Sequence, residues 1–468
     1  MASIPLSTGQ SPAAPDAPFD PAAMPNARKY LIFAVMAFGQ FMALIDIQIV
    51  AASLNEVQAG LSAGPDEISW VQTAYLMAEL VMIPFSAFLA QALSTRWLFA
   101  ASAGLFTIAS ILCGMAWSIE SMILFRAVQG FVGGAMIPTV FATGYMLFQG
   151  KQRAMIPAIL GMVSVLAPTL GPTVGGWITD ALGWRWVFFI NVLPGAIVTL
   201  MILALVRVDK PNLPMLRRID WVHLASMAVF LAGLEYVLEE GPKHDWFSEP
   251  EIAIGAWVSF VAFGLFLERS FRSDGPIVKL SPFRVPTFAF ACLFNLVIGF
   301  GLYASTYLIP IYLGRVQGYN ASEIGTTVFV AGLALGNFEG PELRYASGLF
   351  NLMRNLGGAI GIALVNTWLG DNMRLHLLRL SEALGRSADA ANEAAAGLAQ
   401  SIGRYVSDPA LAQQMAEGTL GRIVGREALT LAFDDVFRLM SYLFLAALVM
   451  VPFCKPPPIG GPAPTEAH

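Results

Sequence analysis

The chain has 468 residues, 56% of them apolar and only 13% charged, with a formal net charge of −5. Soluble domains carry about 25% charged residues, so a soluble protein is excluded and a polytopic membrane protein is expected. The apolar residues recur in blocks of roughly 20, the length that crosses a ~30 Å hydrocarbon layer.

Residues 1–27 are rich in Pro and Ala and read as a disordered tail. The first apolar run begins after Arg28-Lys29 and is too long for the core of a secretory signal. Spans are expected at 30–54, 69–93, 97–117, 120–147, 155–180, 186–207, 221–239, 252–268, 286–313, 322–338, 347–369 and 434–453. Lys and Arg sort to one side. Arg28, Lys29, Arg96, Lys151, Arg153, Arg217 and Lys279 fall in one set of connections, while the short connections opposite hold only Arg185, Lys243 and Arg315. Basic residues favour cytoplasmic loops, which puts both termini in the cytoplasm. The segment 370–433 carries Asp, Glu and Arg throughout and is not expected to span. On this topology it is an extracytoplasmic loop, with helical stretches at Ala388–Ser401 and Leu411–Arg426. The block 322–338 is short, and it runs into the turn-like Asn337-Phe338-Glu339-Gly340-Pro341.

Three ionisable residues interrupt apolar spans. Asp46 lies in FMALIDIQIVAASL. A charge at the bilayer centre costs about 2.5–3.5 kcal/mol on insertion scales, so such a residue suggests function. An apolar setting favours the protonated carboxyl, which suits proton exchange. A structural, hydrogen-bonded carboxylate is the alternative. Glu79 lies in AYLMAELVMIP and invites the same reading, or that of a cavity residue that does not titrate. Gln72, Tyr75 and Glu79 share one helical face and look like a cavity lining. Arg126 opens FRAVQGFVGGAMIP and needs a partner, or else snorkels to the interface. Gln129 is one turn away, Gly130, Gly133 and Gly134 admit a close neighbour, and Asp46 is the obvious distant carboxylate. Glu235 and Asn191 are weaker candidates; Glu235 lies near the polar Glu239-Glu240-Gly241 end and reads as interfacial. Asn295, Arg354 and Asn355 could line a cavity or join helices.

The stretch Met162–Pro194 is dense in helix breakers: Pro168, Gly171, Pro172, Gly175 and Gly176. It is expected to pack tightly and bend. The three cysteines are scattered and the four histidines isolated. No phosphate loop, metal-ligand cluster or nucleophile elbow is present. No enzyme activity, cofactor, metal or nucleic-acid partner is therefore expected.

Several motifs resemble those of the major facilitator superfamily. Arg126-x-x-Gln129-Gly130 with Gly134 and Pro138 resembles its motif B, and Gly171-Pro172-x-x-Gly175-Gly176 leading into Trp186-x-x-Phe189-Ile190-Asn191 resembles its motif C. Leu44-Ile45-Asp46, Trp70-Val71-Gln72-Thr73-Ala74-Tyr75, Asp245-Trp246-Phe247, Pro276-Ile277-Val278 and Ser347-Gly348-Leu349-Phe350-Asn351 are similar to landmarks of its fourteen-span drug:proton antiporter branch, the EmrB/QacA type. The resemblance implies an all-α helical bundle. It comprises an N-terminal six-helix bundle at 28–210, two extra linking helices at 211–280, a C-terminal bundle at 281–455 and a cytoplasmic tail at 456–468. It implies proton-driven export of amphipathic toxic compounds across the bacterial inner membrane. Asp46 and Arg126, with Glu79, would couple protons; Gln72, Tyr75, Gln129 and Asn295 would line the cavity; Gly171, Pro172, Gly175 and Gly176 would form the hinge. In double-membraned bacteria it implies a periplasmic adaptor and an outer-membrane channel as partners. Motif A is mostly lost at Ala87–Arg96, and about 70 residues, equal to two spans, are missing near Gly336. Export of fatty acids, siderophores or metabolites, or a non-transporting truncated subunit, are the other readings.

Overall fold

A computed structural model describes residues 24–273, 276–316, 342–386, 388–404, 406 and 408–448. The expected span at 322–338, the proposed junction near Gly336, most of the N-terminal tail, the C-terminal tail and Cys454 lie outside the described residues. Every described element is helical. Each other expected span coincides with a helix or a broken pair of helices. Numbered in chain order, they are α1 (Asn26–Ala52), α2 (Leu54–Leu61), α3 (Pro65–Ile68), α4 (Trp70–Leu93), α5 (Thr95–Gly114), α6 (Ile119–Gly133), α7 (Met136–Leu147), α8 (Met155–Leu182), α9 (Trp186–Phe189) and α10 (Val192–Leu205). Then come α11 (Trp221–Glu240), α12 (Pro250–Arg272), α13 (Pro286–Arg315), α14 (Glu342–Arg386), α15 (Ala388–Ile402) and α16 (Pro409–Leu448). Among the described residues seven stretches are long and apolar enough to cross a membrane, α6 and α7 counting as one and α9 and α10 as another.

Helix boundaries follow local chemistry. Ser118 caps α6, its hydroxyl accepting from the Ser121 backbone N–H at 3.3 Å. Asp220 caps α11 through the His223 N–H at 3.0 Å. Proline opens α12 and α13, where its missing N–H costs nothing. Gly183 takes φ +92° in the turn after α8, a conformation that suits glycine.

Glycine faces set the closest helix pairs. A Cβ on Gly130 would stand 2.2 Å from the Tyr75 carbonyl oxygen, and one on Gly134 2.7 Å from that of Glu79, so α6 lies directly against α4. The break between α6 and α7 falls at this contact. In the second half, Cβ atoms on Gly357 and Gly361 would stand 2.0 and 2.8 Å from the carbonyl oxygens of Leu296 and Phe300, pressing α14 onto α13. α11 packs on α12 and on α4, and α14 bridges to α4 and α7.

The segment 370–433 is less a loop than a helical extension. α14 has 45 residues, about 67 Å at 1.5 Å per residue, twice a bilayer core. Its far part, α15 and the start of α16 make up the segment 370–433, and the stretches at 388–401 and 411–426 are helical. His376 Nε2 meets Asp435 Oδ2 at 2.7 Å and ties α14 to α16.

Candidate functional site

The polar centre of the first half is assembled by α1, α4, α5, α6 and the α9–α10 junction. α1 carries Asp46 and α6 carries Arg126, and the packing leaves them 1% and 0% exposed. Arg126 Nη1 donates to Asp46 Oδ2 at 2.7 Å. The same nitrogen donates to Gln129 Oε1 at 2.8 Å, and Arg126 Nε donates to the Val71 carbonyl at 3.2 Å. The guanidinium lies 4.2 Å above the Tyr75 ring. Asp46 Oδ1 accepts from Gln129 Nε2 at 3.2 Å and from Asn191 Nδ2 at 2.6 Å. Asn191 Nδ2 also donates to Ser110 Oγ at 3.0 Å. A buried ion pair persists only when most of its remaining lone pairs and protons are also satisfied, and here α4, α5 and the α9–α10 junction contribute to that, leaving Arg126 Nη2 without a partner among the described residues.

Asn191 is thus a direct ligand of Asp46, although its sequence signal was weak. It sits in the break between two short helices, where neither periodicity nor composition singles it out. Only its place at the end of motif C pointed to it.

A cavity of about 110 Å³ lies beside this centre, between the two halves. Gln72 and Glu79 of α4, Glu235 and Glu239 of α11, Tyr303 of α13 and Asn355 of α14 supply its polar wall. Tyr75, Gln129 and Asn295 are not among its lining residues. Tyr75 is fully buried beneath Arg126, Gln129 is fully buried between Arg126 and Asp46, and Asn295 is 2% exposed within α13. The i, i+3, i+7 face of α4 is real, but Gly130 brings α6 over its middle residue and seals Tyr75 off. Glu79 Oε1 and Tyr75 Oη are buried and have no hydrogen-bond partner among the described residues.

The glycine-rich stretch is only partly a packing face. α8 runs unbroken from Met155 to Leu182. A Cβ on Gly171 would stand 2.2 Å from the Cβ of Gln48, and one on Gly175 2.8 Å from the Ile49 carbonyl oxygen, so both press on α1 next to Asp46. Ser53 Oγ and Thr179 Oγ1 extend that contact at 2.7 Å. Pro172 is exposed and Gly176 meets nothing within 4 Å, so neither packs against α1. The alternation follows the helix period, which places residues four apart, not adjacent ones, on one face.

Arg354 of α14 is 7% exposed, lies 5.9 Å from the Phe141 ring and faces Glu79. Its Nε and Nη2 have no hydrogen-bond partner among the described residues. Cys113 and Cys292 are free and buried. Among the described residues no group of three His, Cys, Asp or Glu side chains is placed to hold a metal ion.

The signature of the Major Facilitator Superfamily matches residues 36–341. The chain is 34% identical to the colistin resistance protein EmrB of Acinetobacter baumannii over 91% of its own length and 96% of that protein's. It is 26% identical to the multidrug export protein EmrB of Escherichia coli K12, covering 95% and 98%. It is also 26% identical to the fatty acid resistance protein FarB of Neisseria gonorrhoeae, covering 89% and 94%. The first alignment runs over 497 positions, whereas 91% of this 468-residue chain is about 426 residues, so about 71 positions face no residue of this chain. That length matches the shortfall expected from the sequence.

Proposed function

The chain belongs to the major facilitator superfamily and is a multi-pass membrane transporter rather than an enzyme; from that premise we propose that it is a proton-coupled exporter of amphipathic toxic compounds. The observation that carries the proposal is the Asp46–Arg126 pair, buried and ligated by Gln129 and Asn191. Such a pair is a device with two states. While Arg126 holds Asp46, the carboxylate stays charged. Withdrawn from its cation in an apolar interior, a carboxylate takes up a proton rather than remain charged. A shift of α1 against α6 therefore exchanges a proton. α1 is also the helix on which Gly171 and Gly175 of α8 rest, so motion along that contact reaches Asp46 directly. Glu79, one turn beyond Tyr75 on α4 and exposed to the cavity, relays the change to the substrate space. The driving force is of the right size: about 2.3 kcal/mol per charge per 100 mV, with the pH gradient added.

The positive-inside pattern supports both termini being cytoplasmic, and the similarity to bacterial export proteins supports a bacterial inner-membrane location. α11 and α12 are the linking pair between the two bundles, and the helical extension at 370–433 would then face a periplasmic adaptor leading to an outer-membrane channel. Similarity to FarB supports fatty acids as an alternative cargo. The gap of about 71 positions supports a second reading, a membrane subunit that keeps the coupling centre without completing transport.

Accumulation of a fluorescent amphiphile in cells lacking or expressing the full chain tests the proposal. Lower accumulation with the protein, abolished by a protonophore, is expected. Equal accumulation with the protein present in the membrane favours the subunit reading.

A further inference from the structure

Another cavity, of about 780 Å³, lies apart from the proton-coupling centre. It is framed by the linking helices α11 and α12, by α4 at Pro84, by α14 at Leu349 and Leu352, and by the connection at 276–284. The start of α11, the end of α12 and that connection all fall on the side that the Lys and Arg pattern makes cytoplasmic.

The connection is pinned in place across both linking helices. His223 of α11 is fully buried, and its Nδ1 accepts from the Ile277 N–H at 3.1 Å. That leaves Nε2 to donate to Ser270 Oγ of α12 at 3.0 Å, and Ser270 Oγ donates in turn to the Phe266 carbonyl at 2.8 Å. Ser270 lines the cavity, so this chain leaves its hydroxyl no need of water. The inner wall is otherwise apolar, with Met227, Phe230 and Leu231 facing Phe263 and Phe266. At the mouth the chemistry changes. Lys279 and Arg284 both line the cavity and are exposed, and among the described residues no carboxylate lines it.

A buried water needs two to four polar partners, which this wall does not offer. Folded interiors rarely leave a void larger than a water molecule, because its lining forfeits dispersion contacts. The volume falls within the range of about 300–1,000 Å³ typical of small-molecule sites. The occupant that fits is apolar within and anionic at the mouth. Basic pockets between membrane helices on the cytoplasmic side take anionic lipid head groups, and ammonium and guanidinium groups both bond phosphate oxygens strongly.

We propose that this cavity seats an acyl chain of an anionic phospholipid from the cytoplasmic leaflet, with the lipid phosphate held by Lys279 and Arg284, so that α11 and α12 carry a lipid site and are not merely spacers. This lipid seat requires only the membrane location and these helices, so it goes beyond the export reading and does not rest on it.

Photolabelling of the purified full-length protein in phosphatidylcholine nanodiscs tests the seat without requiring transport. The probe is phosphatidylglycerol with a diazirine on one acyl chain, and the label is mapped by peptide mass spectrometry. Saturable labelling within 227–231 and 349–353 is expected, displaced by unlabelled phosphatidylglycerol and not by added phosphatidylcholine. A basic residue near a lipid surface is worth about fivefold, so the double variant Lys279→Gln/Arg284→Gln should raise the phosphatidylglycerol needed for half-labelling about 25-fold. Its thermal midpoint should stay at the wild-type value, since both side chains are exposed. The proposal is overturned if the label falls only on the exposed face of α12 at Trp257 and Phe260, if a phosphatidylcholine probe labels the same stretches equally, or if the double variant labels as wild type does. Displacement by palmitate as effective as that by phosphatidylglycerol would give the cavity to free fatty acids and overturn it as well. Absence of efflux in cells would sink the export reading and leave the lipid seat standing.

Discussion

Two buried arginines stand in matching settings, one in each half of the molecule. Arg126 on α6 and Arg354 on α14 each have glycine four and seven residues further on, Gly130 and Gly133 in one case and Gly358 and Gly361 in the other. Gly130 presses onto α4, and Gly358 and Gly361 onto α13, while Gly133 meets the Phe106 ring of α5 and the Tyr75 hydroxyl. The surroundings then diverge. Arg126 is ion-paired to Asp46 and bonded to Gln129 and the Val71 carbonyl. Arg354 has an aromatic ring 5.9 Å away and two nitrogens without hydrogen-bond partners among the described residues. Arg126 too leaves one nitrogen, Nη2, without a partner among the described residues, but it closes on a carboxylate at 2.7 Å, whereas Arg354 faces Glu79 without a hydrogen bond to it among the same residues. The difference shows that the glycine face builds the pair, while a third helix, here α1, supplies the charge. About 71 positions of the alignment with the A. baumannii relative face no residue of this chain.

The largest effect should come from breaking the completed side. Arg126→Leu leaves Asp46 buried without its cation and should cost about 3–5 kcal/mol, read as a large drop in thermal midpoint in detergent and loss of efflux. A midpoint within a degree or two of wild type would mean that the pair contributes no stability. Next is the glycine face. Gly130→Ala drives a methyl into the Tyr75 backbone and should cost about 1–3 kcal/mol. Gly176→Ala has open space and should be neutral, or gain up to about 1 kcal/mol from helix propensity. Equal losses at both sites would remove close packing as the explanation. Asn191→Ala strips a 2.6 Å bond from Asp46 and one from Ser110, at about 1–3 kcal/mol. The smallest effect is expected on the incomplete side. Arg354→Leu removes a cation that is poorly compensated, and the midpoint should stay level or rise. A fall as large as that of Arg126→Leu would show that Arg354 has a partner as good as Asp46 and end the contrast.

Much of this was legible in the sequence. Asp46 and Arg126 stood out because a charge inside an apolar span has to be paired, and the structure brings them together across 80 positions. The spans were visible because their length is set by the bilayer. Other features depended on packing that no single helix reveals. Tyr75 was misread as a cavity residue because Gly130 covers it with another helix. Gly176 and Pro172 were grouped with Gly171 and Gly175 because composition does not record which face a residue occupies. Glu235 was assigned to the interface from its distance to Glu239, yet the i, i+4 spacing of the two was the signal that they share a face. Only the Thr73 hydroxyl donating to Glu240 and the Trp70–Tyr236 stack, which fasten α11 to α4, turn that face inward.

The central claim is that Asp46, released by Arg126, carries the coupled proton. Purified protein in liposomes with a trapped pH-sensitive dye, given an amphiphilic substrate under an imposed pH gradient, reads that step directly. The account predicts substrate-dependent proton movement for the wild-type chain, and none for Asp46→Asn even where substrate still binds. Undiminished substrate-dependent proton movement in Asp46→Asn would contradict it.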